Sequence, residues 1–377
     1  MVLIYFDGGS MYYRLVCTHC NLQMNDLASF RCRRCGSVLE IDYDYGGLSL
    51  PRNFRRERIA NSKYSPFLPV ESLSAGLGEG GTPLVAKRLE WVERADVLFK
   101  LETKNPTNSF KDRGSAVEIT KAMEFGFGSV VCASTGNMGM SVARYAQKAG
   151  IKATIFISRG GNPKKIMKIR KYGAKVIEVK KDFNEALRDA EKFASSEGIF
   201  LCGDYHYRKE GQKTVIYEII EQLKYRVPDF IFAPVGNATL ISAIYKGLRE
   251  FRDFLFIEKL PKLVAVQSSG CDPLVKAYNR GEKIGYVKPS TIADAIAVGY
   301  PTFGLEGVDA LRSTKGRAVR VSDKEIIKSM KELESIGIYT ETGGAAAFAG
   351  FRSLYSDYKK SFRGKTVAVL ATGNNER

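Results

Sequence analysis

The chain has 377 residues, 44 % of them hydrophobic, and carries 58 basic against 41 acidic side chains for a formal charge of +17. That size and composition fit a globular protein of two or three domains and exclude a disordered chain. No stretch approaches the roughly 20 apolar residues of a membrane span, and the opening "MVLIYFDGGSMYYRL" has no basic leader, so a cytoplasmic protein without a signal peptide is expected. The basic residues are spread along the chain with acids between them, which favours small anionic substrates over a nucleic-acid face.

The N-terminal segment, residues 1–48, holds four of the seven cysteines, in "CTHC" (Cys17 and Cys20) and "CRRC" (Cys32 and Cys35). Two such knuckles, the second followed by Gly36, resemble a zinc ribbon, whose thiolates converge on one tetrahedral ion. The alternative is two coincidental pairs. His19 reads as a bystander. A disulfide framework is not expected in a leaderless chain; Cys132, Cys202 and Cys271 read as small core or near-site residues. Residues 49–82, rich in Arg, Pro and Gly, read as a connector.

Then comes "NPTNSFKDRG", residues 105–114. Pro and Asn mark a turn, and Ser109 is placed to cap a helix running through "SAVEITKAMEF". A lysine in that first turn opposes the positive end of the helix dipole. Lys111 is either a solvated lysine in a polar loop or an amine held neutral for attack on a carbonyl.

From residue 129 strands and helices alternate. "SVVCA", "KATIFIS" and "AKVIEVK" read as strands; "NMGMSVARYAQKAG", "NPKKIMKIRKYG" and "DFNEALRDAEKFASSEG" read as helices between and after them. The pattern resumes with helix "GQKTVIYEIIEQL", strand "DFIFAPV", helix "TLISAIYKGLREF" and strand "KLVAVQS". Helices are expected near 272–280, 291–297 and 305–312, followed by strand "GRAVRVS", two helices over 323–358 and a closing strand "TVAVLAT". This predicts an α/β protein of two lobes with wound, mainly parallel sheets and a ligand between the lobes.

Ligands of such sheets bind beyond the strand ends. "STGN" (134–137) follows the first strand and opens a helix; it suits an anion at a helix N-terminus, although ordinary capping by Ser134 or Asn137 also accounts for it. "GNATL" (236–240) offers a phosphate cradle without matching a dinucleotide or P-loop fingerprint. Thr372 ends the last strand with its hydroxyl available. A lysine, a phosphate cradle, an anion loop and a strand-end hydroxyl are what an aldehyde cofactor with a phosphate tail needs.

Together these segments resemble the pyridoxal-phosphate enzymes of the tryptophan-synthase-β-like fold (fold type II), and among them the threonine synthases. "NPTNSFKDRG", "STGNMGMSVARYAQKAG", "YRKEGQKTVIYEI", "PVGNATLISAIYKGLRE" and "SDKEIIKSMKELESIGIYTETGGAAAFAGF" follow in that family's order, and the cysteine front end is similar to that of many bacterial and archaeal members. The resemblance implies a Schiff base between Lys111 and pyridoxal phosphate, with Lys111 then moving protons at the substrate's Cα and Cβ. It implies that Phe110 packs beside the ring, that Asn137 bonds the ring hydroxyl, and that Gly236, Asn237, Ala238, Thr239 and Leu240 hold the cofactor phosphate. Thr372 would face the pyridine nitrogen as a neutral group, giving a weaker electron sink than a carboxylate. Ser134, Thr135 and Gly136 would hold the substrate carboxylate; Arg208, with Lys104 as a second candidate, would contact the phosphate of O-phosphohomoserine.

The sequence departs from that pattern in three places: "CGDYHY" precedes Arg208 where Asn and Ser are common, Ala238-Thr239-Leu240 replaces a second Gly, and "TGNNER" closes the chain. The alternatives are a cysteate synthase acting on O-phosphoserine, a threonine dehydratase, or a nucleic-acid-binding scaffold. The expected domains are the ribbon-like segment 1–48, a large cofactor-binding lobe from 49–115 and 203–377, and a small lobe of 116–202. The expected ligands are pyridoxal 5'-phosphate, one structural zinc and a small anionic amino-acid substrate, in a homodimer that touches neither membrane nor nucleic acid.

Overall fold

A computed structural model describes residues 2–6, 9–46, 48, 54, 57–134, 136–158, 161–179 and 183–375. They form two compact units: Met1–Gly81 with Lys111–Thr214, and Thr82–Phe110 with Val215–Arg377. The sequence reading drew its lines at 48, 115 and 202; these units divide at 81/82, 110/111 and 214/215.

The first unit contains two sheets. Strands β1 (Val2–Phe6), β2 (Gly9–Cys17), β3 (Gln23–Met24) and β4 (Leu39–Asp44) form an antiparallel sheet in which β2 pairs with the other three. Its alternating Met11, Tyr13, Leu15 and Cys17 are buried and join one apolar cluster with Val117, Cys132, Ile155 and Tyr207. The ribbon is therefore packed into this unit.

The second sheet is parallel, in the order β10 (Phe200–Cys202), β7 (Ser129–Ala133), β8 (Lys152–Ser158), β9 (Lys175–Val179). Helices α2 (Asn137–Ala149), α3 (Pro163–Lys171) and α4 (Phe183–Glu197) make the crossovers. Before the sheet runs α1 (Lys111–Glu124), and after it α5 (His206–Gln222). The near-continuous apolar runs of β7 and β8 follow from burial on both faces. β10, only three residues long, escaped the sequence reading.

The second unit holds a six-stranded sheet in the order β13 (Arg317–Val321), β12 (Lys262–Ser268), β11 (Phe230–Pro234), β14 (Lys365–Ala371), β6 (Ala95–Leu101), β5 (Leu84–Ala86). All its pairs are parallel except β5 with β6. Five helices belong to this unit: α6 (Thr239–Asp253), α7 (Pro273–Arg280), α8 (Gly304–Ser313), α9 (Asp323–Ser335) and α10 (Thr342–Phe362). A capping box starts α9, with Ser322 Oγ accepting from Glu325 N and Glu325 accepting from Ser322 N; such a cap is worth about 1 kcal/mol.

One expectation is corrected. Residues 291–297 form a single 3₁₀ turn, Asp294–Ile296, in place of a helix. Asp323 accepts from Thr291 Oγ1 (2.5 Å) and Ile292 N (3.1 Å), which pins the segment in a non-helical path. Strand β6, "ADVLFKL", has no counterpart among the expected elements; Lys100 lies in it. That lysine is fully buried, with its amine 2.7 Å from Glu218 and 2.8 Å from Thr82 O.

Candidate functional site

Lys111 is the first residue of α1, and its side chain is 17 % exposed. Burial holds its amine below the usual lysine range; nearby Arg208 adds to that, while Asp204, 3.5 Å from Nζ, pulls the other way. The sequence reading placed the cause in the helix dipole; desolvation is the leading cause here.

The residues after Lys111 tie α1 to its neighbours. Asp112 accepts from Ser141 Oγ of α2 (2.6 Å). Arg113 donates to Thr214 Oγ1 of α5 (3.0 Å) and is fully buried. Gly114 and Gly211 form the closest part of the crossing between α1 and α5. A Cβ on Gly211 would lie 2.0 Å from Arg113 O, and one on Gly114 2.6 Å from Arg208 Cγ. This approach sets Arg208 against the lysine. Its Nη1 donates to Lys111 O (3.0 Å), Nε to Gly203 O (3.0 Å) and Nη2 to Ser115 Oγ (3.1 Å) and to Glu118. Burial pushes the Glu118 carboxyl up to about 7, against the pull of Arg208 and of the Gly203 N–H.

Ser134 follows β7 and is buried; its Oγ accepts from Gly136 N (2.9 Å) and Gly139 N (2.7 Å), the capping role that sequence alone allowed. Thr135 lies outside the described residues. Asn137 opens α2 and is buried. Against Gly136 lies Lys165 of α3, only 1 % exposed: a Cβ on Gly136 would meet its Cδ at 2.4 Å and its Nζ at 3.3 Å. The sequence reading passed over this lysine among so many others; its only signal was an apolar helix face interrupted by a charge.

In the second unit, Gly236 to Leu240 link β11 to α6. Ala238 takes the left-handed conformation (φ +60°) at the N-cap of α6, turning the chain sharply into the helix. Asn237 is held by Thr302, whose N and Oγ1 both donate to its Oδ1 at 3.2 Å. Thr239 and Leu240 begin α6, whose first-turn N–H groups lack partners within the helix and suit an anion. Thr372 follows β14 and is 5 % exposed; its carbonyl accepts from Phe110 N (3.0 Å). Ser109 pairs with Gly373 as an isolated antiparallel bridge. Asn374 Oδ1 is buried with no hydrogen-bond partner among the described residues. Lys104 is exposed on a short 3₁₀ turn.

Each unit by itself offers a group that an aldehyde cofactor with a phosphate would need: in the first, a largely buried amine held below the usual lysine range, and in the second, a loop opening a helix. The comparisons agree. Residues 76–373 match the family described as pyridoxal-phosphate dependent enzymes. A threonine synthase of Methanosarcina acetivorans is 38 % identical over 371 residues, 96 % of this chain and 91 % of its own. One from Methanocaldococcus jannaschii is 40 % identical over 354 residues, 90 % of this chain and 87 % of its own. The chain belongs to the threonine synthase family of pyridoxal-phosphate dependent enzymes.

A threonine synthase family member is an enzyme, so a purely nucleic-acid-binding scaffold is set aside. The fold is likewise that of maize serine racemase (TM-score 0.67, 22 % identity, covering 78 % of this chain and 88 % of that one). Among the described residues no helix is long and apolar enough to cross a membrane.

The four ribbon cysteines converge. All four sulfurs lie within 4.8 Å of one another, with Cys17–Cys35 at 3.4 Å and Cys20–Cys32 at 3.6 Å. Four thiolates about 2.3 Å from one ion have edges of this size. Backbone N–H groups of His19 and Cys20 point at Cys17 Sγ, and that of Arg34 at Cys32 Sγ, each at 3.4 Å. Such donors favour thiolates. His19 is exposed.

Proposed function

We propose that the protein converts O-phosphohomoserine and water to threonine and phosphate with the help of pyridoxal phosphate. The observation that carries this reading is Lys111: a largely buried amine, held below the usual lysine range by desolvation, at the head of α1, in a chain similar along nearly its whole length to threonine synthases. When bound, the cofactor supplies an aldehyde to join an amine and a ring that draws electrons from the substrate's Cα.

In this reading Lys111 bonds the aldehyde and moves protons at the substrate's Cα and Cβ. Gly236, Asn237, Ala238, Thr239 and Leu240 hold the cofactor phosphate by their backbone N–H groups. Phe110 packs against the ring, Asn137 bonds its hydroxyl, and Thr372 faces its nitrogen with a neutral hydroxyl. Ser134, Thr135 and Gly136 hold the substrate carboxylate through main-chain donors, since Ser134 Oγ already caps α2. Arg208 keeps Lys111 in place through its carbonyl; four of its five N–H groups are engaged within the first unit, and contact with a substrate phosphate falls to the fifth. Lys104, being exposed, adds a second cation for that phosphate. One zinc held by Cys17, Cys20, Cys32 and Cys35 has a structural role.

A second reading has one observation in its favour. The segment "CGDYHY" before Arg208 stands where the family commonly has Asn and Ser; it opens with Cys202 and Gly203. Cys202 is buried with its thiol pushed well up, and Gly203 N donates to Glu118. Neither offers a strong side-chain donor to a distal phosphate, which favours a threonine dehydratase. Supplying O-phosphohomoserine, O-phosphoserine with sulfite, and threonine separately, and following phosphate and product amino acid, decides between them. Threonine with stoichiometric phosphate from the first substrate is expected. Borohydride should fix the cofactor to Lys111, and a reconstituted protein with no visible absorbance and an unmodified Lys111 would overturn both readings.

A further inference from the structure

Asp204 stands in one of the three segments where the sequence departs from its family, and the structure places it against the lysine. Its Oδ1 is 3.5 Å from Lys111 Nζ, in the turn between β10 and α5, and the residue is 6 % exposed. The charged and titratable groups acting on the amine among the described residues are Asp204 from this turn, Arg208 from α5 and the Cys132 thiol from β7, with Glu118 of α1 behind Arg208. Asp112, next to Lys111 in sequence, is engaged by Ser141 on α2. Glu118 is paired with Arg208. Asp204 faces the amine directly, at 3.5 Å. The pair differs from the buried structural pair of Lys100 and Glu218, which is closed at 2.7 Å with both side chains fully buried.

We propose that Asp204 is a catalytic partner of Lys111: it orients the amine and takes up the proton that the amine sheds when it bonds a carbonyl carbon. The inference rests on the reading of Lys111 given above. The balance is simple. A lysine ammonium and an aldehyde give an imine, a water molecule and a proton. The step starts from a Lys111 ammonium 3.5 Å from the Asp204 carboxylate; once the amine has bonded carbon its positive charge is gone, and the carboxylate faces the released proton. Asp204, at the amine itself, receives that proton and returns it when the amine is released. A neutral residue at this position leaves the proton to solvent.

The test begins with the cofactor-free protein. The pH dependence of acetylation of Lys111 by acetic anhydride, read by peptide mass spectrometry, gives the amine's titration directly. Asp204→Asn should move that midpoint down by about one unit or more, so that Lys111 reacts about tenfold faster at a pH below the wild-type midpoint. Asp204→Glu should restore it in large part. Asp204→Ser carries the same test if the asparagine variant does not fold. In the reconstituted enzyme the pH at which the visible absorbance titrates should shift in the same direction, and kcat should fall at least tenfold with KM within about threefold. An unchanged Lys111 titration in a folded, neutral variant overturns the proposal. A shifted titration in a protein that borohydride cannot couple to pyridoxal phosphate would keep the pair and overturn the cofactor reading instead.

Discussion

Replacing Gly211 by alanine tests the crossing on which the site is built. The added Cβ would lie 2.0 Å from Arg113 O, 2.6 Å from Arg113 C and 2.8 Å from Gly114 Cα. All three are backbone atoms, so no rotamer change relieves the contact. Real Cβ atoms stay beyond about 3 Å from such neighbours, so α5 must retreat from α1 by about 1 Å. Arg208 sits one turn earlier on α5 and donates to Lys111 O at 3.0 Å. The retreat lengthens that bond to about 4 Å, outside hydrogen-bonding range. Overpacking of this kind costs about 1–3 kcal/mol and the lost charged hydrogen bond about 1.5–3 kcal/mol, so a loss of about 2.5–6 kcal/mol is expected. Urea unfolding followed by circular dichroism measures it. Gly128→Ala is the control, since nothing lies within 4 Å of its would-be Cβ. A Gly211→Ala protein as stable as the control, with Lys111 still coupled by borohydride, would refute the close crossing.

Three further outcomes are expected. Removing metal from the four cysteines, by chelation or Cys32→Ser, should raise amide exchange over residues 25–37 and carry it into 203–208, because Arg31 and Tyr205 meet on Glu191 (both 2.7 Å) and Tyr207 Oη donates to Leu27 O (3.0 Å); exchange unaltered by metal removal would deny the ion a structural role. Glu118 binds its proton more tightly folded, at about 7 against an ordinary value of 4.5, so it makes stability fall as pH rises between those values, by up to about 3 kcal/mol; Glu118→Gln should flatten that slope, and an unchanged slope in pH-dependent unfolding contradicts the assignment. Lys165→Met keeps the stem against Gly136 and removes the charge, so KM for an anionic substrate should rise about tenfold, roughly 1.4 kcal/mol, with little change in unfolding; an unaffected KM assigns Lys165 to packing alone.

What was legible in the sequence is what local pattern encodes. The wound sheets appear as apolar runs separated by helices, because parallel strands buried on both faces must be apolar throughout. The cysteine pairs predicted their own convergence, because ligand spacing is a local property. What stayed hidden depends on which surfaces meet. Lys100 lies in β6, where a charge reads as exposure until Glu218 is seen opposite it. Asp323, distant in sequence, unwound the segment 291–297.

Two of the motifs that carry the family resemblance show the same division inside themselves. "KDRG" and "EGQKT" read from sequence as chemistry, yet of their residues only Lys111 stands out as a reactive group. Asp112, Arg113, Gly114 and Gly211 serve the packing of α1 against α2 and α5. Glu210 and Lys213 pair with each other at 2.5 Å, and Tyr43 of the ribbon donates to Glu210 at 2.7 Å. One crossing needs both halves: the glycines permit the approach, the buried charges fix its register, and the lysine is presented as a result. A lysine of the same sequence on a helix without that crossing would be one more solvated cation among the chain's 58 basic residues, with neither Arg208 behind it nor Asp204 before it.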